Sequence, residues 1–402
     1  MTRDRLSVVW VIDHVCYDGS LHGGGRLYMN LLPAMLEHGI DVHPYFLRSS
    51  SEVKEVFESA RSPVVSLDRG KFDPRGFLEM RSLLRRHQAQ AMHLFCYQAS
   101  TYGRILSALT GIPAVVHDFD TQVYFPYPLY LEVLDRLLAS KSAHAFAASQ
   151  MCRQYMNQTR RIPHDRISLF FHVIPEEVWA QADQPLRSSV RQRLGIAADA
   201  TVFCCVTKLG PERGNETLLE AMRQVVNHDP GARLILIHKP TRYHVVPDAY
   251  KDIPWVSDAD HMRQQIQTSV RDLELEQNVV LIESLDQPWE FMAASDVLVA
   301  PFESERFSSV NLVEGLAFSL PGIVTHLGEA REVIRDQREG LHVEPSNSSQ
   351  LAAAMRRLLD APARRTLANA ARERAAYFSL DSTAERLAQT YRDITARGGS
   401  KT

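Results

Sequence analysis

The chain has 402 residues, of which 45% are hydrophobic and 23% charged, and a formal net charge of -3. That length divides naturally into two domains of roughly 200 residues, and the composition excludes disorder. The balanced charge excludes a global basic field for nucleic acid, and no run reaches the ~18–20 apolar residues of a membrane span.

From Leu6 onward apolar strand patterns alternate with amphipathic helix patterns. Val8–Ile12 reads as a strand, Gly25–Glu37 as a helix ended by Gly39, and Val42–Leu47 as the next strand. The alternation continues through strand Ala91–Phe95, a helix around Tyr102–Leu109, strand Ala114–His117, a helix near Leu129–Ala139 and strand Ala143–Ala148. Ile167–Ile174 is extended, and the polar segment Glu176–Ser189 reads as an interdomain linker. A second alternating unit runs through Ala200–Thr207, Gly214–Val226, Ala232–His238, Asn278–Ile282, Asp296–Ala300, Ser309–Ser319, Gly322–Thr325, Glu329–Arg335 and Gly340–Val343. Lys239–Met262 reads as a surface insertion, and helical patterns over Leu351–Leu359, Pro362–Tyr377 and Ser379–Ile394 close the chain. The expected fold is therefore α/β: two Rossmann-like doubly wound domains facing a cleft, with ligands at the carboxyl edges of the strands.

The five cysteines, Cys16, Cys96, Cys152, Cys204 and Cys205, are odd in number and lack CxxC spacing, which argues against a disulfide framework and a zinc site. The first apolar run breaks at Asp13 without a small-residue cleavage site, so a cytoplasmic location is expected. Arg81, Arg85 and Arg86 beside Leu83 and Leu84 suit either a solvated helix face or peripheral contact with an anionic membrane surface.

Three segments carry chemistry. In His22-Gly-Gly-Gly-Arg26 the missing Cβ atoms let backbone approach a phosphate or sugar, although the same residues suit a plain tight turn. No full G-x-G-x-x-G with an acidic ribose reader follows, which argues against a nicotinamide cofactor. Thr207-Lys-Leu-Gly-Pro-Glu-Arg-Gly214 leaves a strand, presents Lys208 and Arg213, and enters a helix whose Leu218, Ala221, Met222 and Val225 face inward. Two cations beside a helix N-terminus complement a diphosphate, and they also occur as ordinary surface charges near a turn. In Pro301-Phe-Glu-Ser-Glu-Arg-Phe-Ser-Ser-Val310, Ser308 or Ser309 is placed to cap the following helix, with Asn311 and Glu314 together on the side away from Val313 and Ala317.

The combination of a Gly-rich first loop, Lys208 and Arg213-Gly214, Glu314 on its helix, Gly322-Ile-Val-Thr-His-Leu-Gly-Glu-Ala-Arg-Glu-Val333 and Gly340-Leu-His-Val-Glu-Pro345 resembles the retaining GT-B glycosyltransferases of the family-4 group. The resemblance covers nearly the whole chain and includes the closing Phe378-Ser-Leu-Asp-Ser-Thr segment. It implies an N-terminal acceptor domain over 1–185, a C-terminal nucleotide-sugar donor domain over 186–378, and a helix over 379–402 that returns to the first domain.

It implies further that Lys208 and Arg213 hold the donor diphosphate, in an order swapped from the family's usual Arg then Lys. Glu314 would accept hydrogen bonds from ribose hydroxyls, Gly24 and Gly25 would lie against the diphosphate and acceptor, and His117 would sit near the transferred sugar. The donor implied is a UDP- or GDP-sugar and the partner a hydroxyl acceptor, with no metal ion and no other cofactor. The chain departs from the pattern at Arg306, where the first motif glutamate is expected, leaving Glu305 as its nearest replacement. His172-Val173 likewise replaces an Asn-Gly, and His238 stands where glycine is common. Three alternatives remain: a sugar-nucleotide epimerase, a non-catalytic GT-B subunit, and a metal-dependent GT-A reading through Asp118-Phe-Asp120 or Asp258-Ala-Asp260.

Overall fold

The computed structural model describes residues 5–13, 23–47, 65–67, 73–118, 129–207, 213–238, 259–283, 288–303 and 310–399. Its contacts divide the chain into a first unit, Met1–Phe171 with Leu380–Thr402, and a second, His172–Ser379.

In the first unit seven strands are β1 (Leu6–Ile12), β2 (Ile40–Phe46), β3 (Val65–Ser66), β4 (Ala91–Phe95), β5 (Ala114–Asp118), β6 (Ser142–Ala147) and β7 (Ile167–Leu169). They form one sheet in the order β3-β2-β1-β4-β5-β6-β7, each neighbouring pair parallel. β4 and β5 are buried along their whole length, as expected of strands covered on both faces. The strand order reverses between β1 and β4, which opens a crevice outside their carboxyl ends. There the Asp13 carboxylate accepts hydrogen bonds from the backbone N–H of Gln98 (2.7 Å) and Ala99 (2.6 Å), satisfying the first turn of helix Tyr97–Thr110. Cys96 reaches this turn with φ +69°, a left-handed conformation that costs a non-glycine residue about 1–3 kcal/mol.

The C-terminal helix Leu380–Gly399 belongs to the first unit and packs against helix Gly23–Glu37. Its Tyr391 enters the face of the sheet formed by Trp10 and His93, which are register neighbours on β1 and β4. Trp10 Nε1–H donates to the Tyr391 oxygen at 3.0 Å, and the same hydroxyl is hydrogen-bonded to His93 Nδ1 at 2.5 Å. Burial, followed by repulsion from His117 and His144, holds His93 well below the ordinary histidine range. His144 on β6 is lowered to about 4 by burial and Arg397, against an opposing pull from Asp393.

Both shifts depress the folded-state pKa. The neutral rings therefore stabilise the fold fully above about pH 6.5, where the unfolded chain's histidines are also neutral. Stability is expected to fall as the pH drops from there toward 4, by about 1.4 kcal/mol per pH unit for each histidine. Urea midpoints measured between pH 7.5 and 4.5 check this. His144→Phe should flatten the slope, and an unchanged slope would remove His144 from the account.

The second unit contains β8 (Val202–Thr207), β9 (Arg233–His238), β10 (Val279–Glu283), β11 (Val297–Ala300), β12 (Gly322–Thr325) and β13 (Gly340–Val343). Its sheet order is β10-β9-β8-β11-β12-β13, again parallel, with the reversal between β8 and β11. Leu218, Ala221, Met222 and Val225 of helix Asn215–Val226 are fully buried against this sheet, as their spacing requires.

The polar segment read as a linker is helical, over Glu176–Ala182 and Arg187–Arg193, and lies in the second unit rather than ending the first. Val178 and Val190 are buried, and the arginines are tied down at the start of β11. Arg191 donates to the Ala294 carbonyl at 2.9 Å and pairs with Asp296 at 2.8 Å, while Arg187 donates to the Ser295 carbonyl at 2.7 Å. Helix Ala259–Asp272 begins inside the stretch read as an insertion, whose residues 239–258 lie outside the described ones.

Candidate functional site

The second unit builds its site where the exits of β8 and β11 meet at the strand-order reversal. Gly214 follows Arg213, adopts φ +66°, and starts helix Asn215–Val226. A Cβ at Gly214 would stand 1.8 Å from the Pro301 carbonyl oxygen, so only glycine lets the two exits touch. The Thr217 hydroxyl donates to Glu303 at 2.7 Å and joins the first turn of that helix to the β11 exit. Arg213 lies with its guanidinium carbon 5.6 Å from the centre of the Phe302 ring, a cation–π contact that places its charge beside the helix N-terminus. Val206, Leu298, Ala300, Phe302, Asn311 and Leu312 line a shallow hollow at this junction.

Glu314, read from its spacing as lying with Asn311 on the side away from Val313 and Ala317, does not face solvent. It is 5% exposed in helix Val310–Ala317, and Trp289 Nε1–H donates to its Oε2 at 3.0 Å. Burying a carboxylate is costly unless it is hydrogen-bonded, and the indole supplies one such bond. Asn311 is half-buried one turn earlier. Trp289 starts the short helix Trp289–Ala293 after β10, a place to which no sequence pattern drew attention. Arg213 and Asn311 thus belong to one junction of the second unit, and Glu314 stands on the helix that carries Asn311. Lys208, Glu305, Ser308 and Ser309 lie outside the described residues.

In the first unit, Gly24 and Gly25 are not a loop before the helix. They are part of its first turn, because helix Gly23–Glu37 begins with the glycines themselves. Their N–H groups are therefore among the first four of a helix, which have no partner within it. His117 is fully buried near the carboxyl end of β5, within an aromatic layer. Its ring stacks on His93 with centroids 5.3 Å apart and meets Phe170 edge-on at 4.7 Å.

The next residue, Asp118, is ion-paired with Arg160, and both side chains are buried. Arg160 also binds Asp135, which in turn holds Arg104. This pairing with an internal arginine opposes a metal role for Asp118; Asp120 and Asp258 lie outside the described residues. Among the described residues no group of three or more His, Cys, Asp or Glu is arranged to hold a metal ion, and no helix is long and apolar enough to cross a membrane. His238, in the position where glycine was noted as common, is buried at the end of β9, and burial lowers its pKa.

Two family models match this chain: Glycosyltransferase Family 4 over residues 21–177 and Glycosyl transferases group 1 over residues 187–374. The D-inositol 3-phosphate glycosyltransferase of Acidothermus cellulolyticus is 24% identical over 322 residues, which are 76% of this chain and 67% of that protein. The alpha-D-kanosaminyltransferase of Streptomyces kanamyceticus is 23% identical over 332 residues, 79% of this chain and 81% of that protein. Among solved structures, HepE of Anabaena in complex with UDP has the same fold, with a TM-score of 0.74 and 16% identity over 96% of this chain and 100% of that one. With two doubly wound parallel sheets and a family model matching each half, the chain belongs to the group 1 glycosyltransferases, with a family 4 glycosyltransferase domain preceding the group 1 domain.

Proposed function

We propose that the chain transfers a sugar from a UDP- or GDP-sugar to a hydroxyl acceptor, with retention at the anomeric carbon and without a metal ion. The observation that carries this reading is the junction of the β8 and β11 exits, where Arg213 lies over Phe302 beside a helix N-terminus and Asn311 of the Glu314 helix lines the same hollow. Arg213, with Lys208, is assigned to the diphosphate, where its charge opposes the negative charge that develops as the sugar–phosphate bond breaks. The N-terminus of helix Asn215–Val226 adds its dipole to the same task. Glu314 has the acceptor oxygens to bind the vicinal ribose hydroxyls.

The first unit is assigned the acceptor. Gly24 and Gly25 offer backbone N–H groups at a helix start, and the assignment of His117 to the transferred sugar rests on the family resemblance, since its ring is fully buried. The complex of HepE with UDP makes uridine the first base to test.

The test is a panel of UDP- and GDP-sugars, followed by thermal shift and by release of nucleoside diphosphate with and without acceptor mixtures. One donor should raise the unfolding midpoint and be hydrolysed slowly without an acceptor. Conversion of the donor to another sugar nucleotide would instead identify an epimerase, and tight binding without turnover a non-catalytic subunit. A chain that no nucleotide sugar stabilises would end the proposal.

A further inference from the structure

We infer that Trp289 is a positioning residue that sets the affinity of this site for the nucleoside half of the donor, by fixing the Glu314 carboxylate. The inference rests on the proposed donor site and names a residue that the family resemblance does not supply. A glutamate's terminal torsion is broad and roughly two-fold, so helix Val310–Ala317 alone leaves the plane of the Glu314 carboxylate weakly defined. The indole N–H is a donor only, and at 3.0 Å from Oε2 it selects one orientation of that plane.

The short helix that carries the indole is anchored on both sides. Phe291 and Met292 of its short helix are buried, and the Ser295 hydroxyl donates to the Phe291 carbonyl at 2.7 Å. Arg193 lies 5.9 Å from the Phe291 ring centre and pairs with Glu290 at 2.7 Å. The hydrogen bond from Trp289 thus ties the Glu314 carboxylate to the short helix that leads into β11. A ligand whose two hydroxyls need a carboxylate in a set plane gains from that orientation before it arrives. A ligand with phosphates alone gains nothing from it.

Calorimetric titration of the full chain with UDP and with inorganic pyrophosphate separates these cases. Trp289→Phe keeps a ring of similar shape and removes the donor. It should weaken UDP binding about tenfold to a hundredfold while changing pyrophosphate binding by less than about twofold. Trp289→Phe made on top of Glu314→Ala should add little to the loss of UDP binding already caused by Glu314→Ala, because the indole then has no carboxylate to orient. In turnover, Trp289→Phe should raise the donor KM and leave kcat within a few-fold. UDP binding equal to wild type in Trp289→Phe would overturn the inference, and so would parallel loss of UDP and pyrophosphate, which marks general damage to the unit. A wild-type chain that binds pyrophosphate but neither UDP nor GDP would remove the donor reading, and the role of Trp289 with it.

Discussion

Arg213→Ala is expected to lower the transfer rate by about a hundredfold to a thousandfold, the usual cost of removing one preorganised group that stabilises transition-state charge. Arg213 immediately precedes Gly214, whose left-handed backbone turns the chain into helix Asn215–Val226, and Phe302 lies beneath its guanidinium. The charge is therefore held at the mouth of the strand-order reversal by an aromatic ring and a constrained turn. Arg213→Lys keeps the charge and loses the planar fork that binds two phosphate oxygens together, so a smaller loss of about tenfold is expected. Release of nucleoside diphosphate under saturating donor measures both effects. The urea midpoint of each variant should stay near that of the wild type, because Arg213 is only half-buried. Near-normal turnover in Arg213→Ala would sink its assignment to the diphosphate.

Asp135→Asn should destabilise the first unit by about 3–5 kcal/mol. Asp135 is 4% exposed and lies between Arg104, which is fully buried, and Arg160, which is 5% exposed. Arg160 Nη2 donates to Asp135 Oδ1 at 3.0 Å, and Arg104 Nη1 donates to the Asp135 carbonyl at 3.2 Å. Two carboxylates, Asp118 and Asp135, thus balance two guanidinium groups away from water. Removing one negative charge leaves a net positive charge in the interior, and the cost is the desolvation of an unmatched arginine rather than the loss of one contact. A lower urea midpoint with an unchanged m-value is the expected signature. A shift below about 1 kcal/mol would show that the tetrad is better hydrated than its burial implies.

The strands were the most legible part of the sequence. Ala91–Phe95, Gly322–Thr325 and Gly340–Val343 are bounded in the structure as their patterns required, since short apolar runs between turn signals have few other uses in a doubly wound fold. The helices at Glu176–Ala182 and Arg187–Arg193 were hidden because each is only two turns long and many of their residues are charged or polar. What makes them helical is docking, through Val178, Val190 and the arginines bound to Asp296, and those partners are remote in sequence. The two-residue strand β3 falls below the length at which alternation can be seen.

The site was legible in outline and opaque in detail for a similar reason. Gly214 and Arg213 announce themselves locally, as a left-handed turn and a cation before a helix. The burial of Glu314 depends on an indole in another element, and the engagement of Asp118 depends on Arg160, which follows helix Gln150–Gln158 beyond the next strand. Spacing alone left a solvated carboxylate open for the first and a metal ligand open for the second. Tertiary partners decided otherwise in both cases.

Because the C-terminal helix supplies Tyr391 to the Trp10–His93 face, the first unit is interrupted in the chain by the whole of His172–Ser379. On the ribosome, the strands of that unit emerge first and their covering helix last. At about 5–20 residues per second the interval lasts on the order of tens of seconds. During it, the indole of Trp10 and the ring of His93 lack the side chain that closes over them in the finished fold. The second unit is continuous and can complete its sheet without this helix, so the first domain to be synthesised becomes the last to be finished.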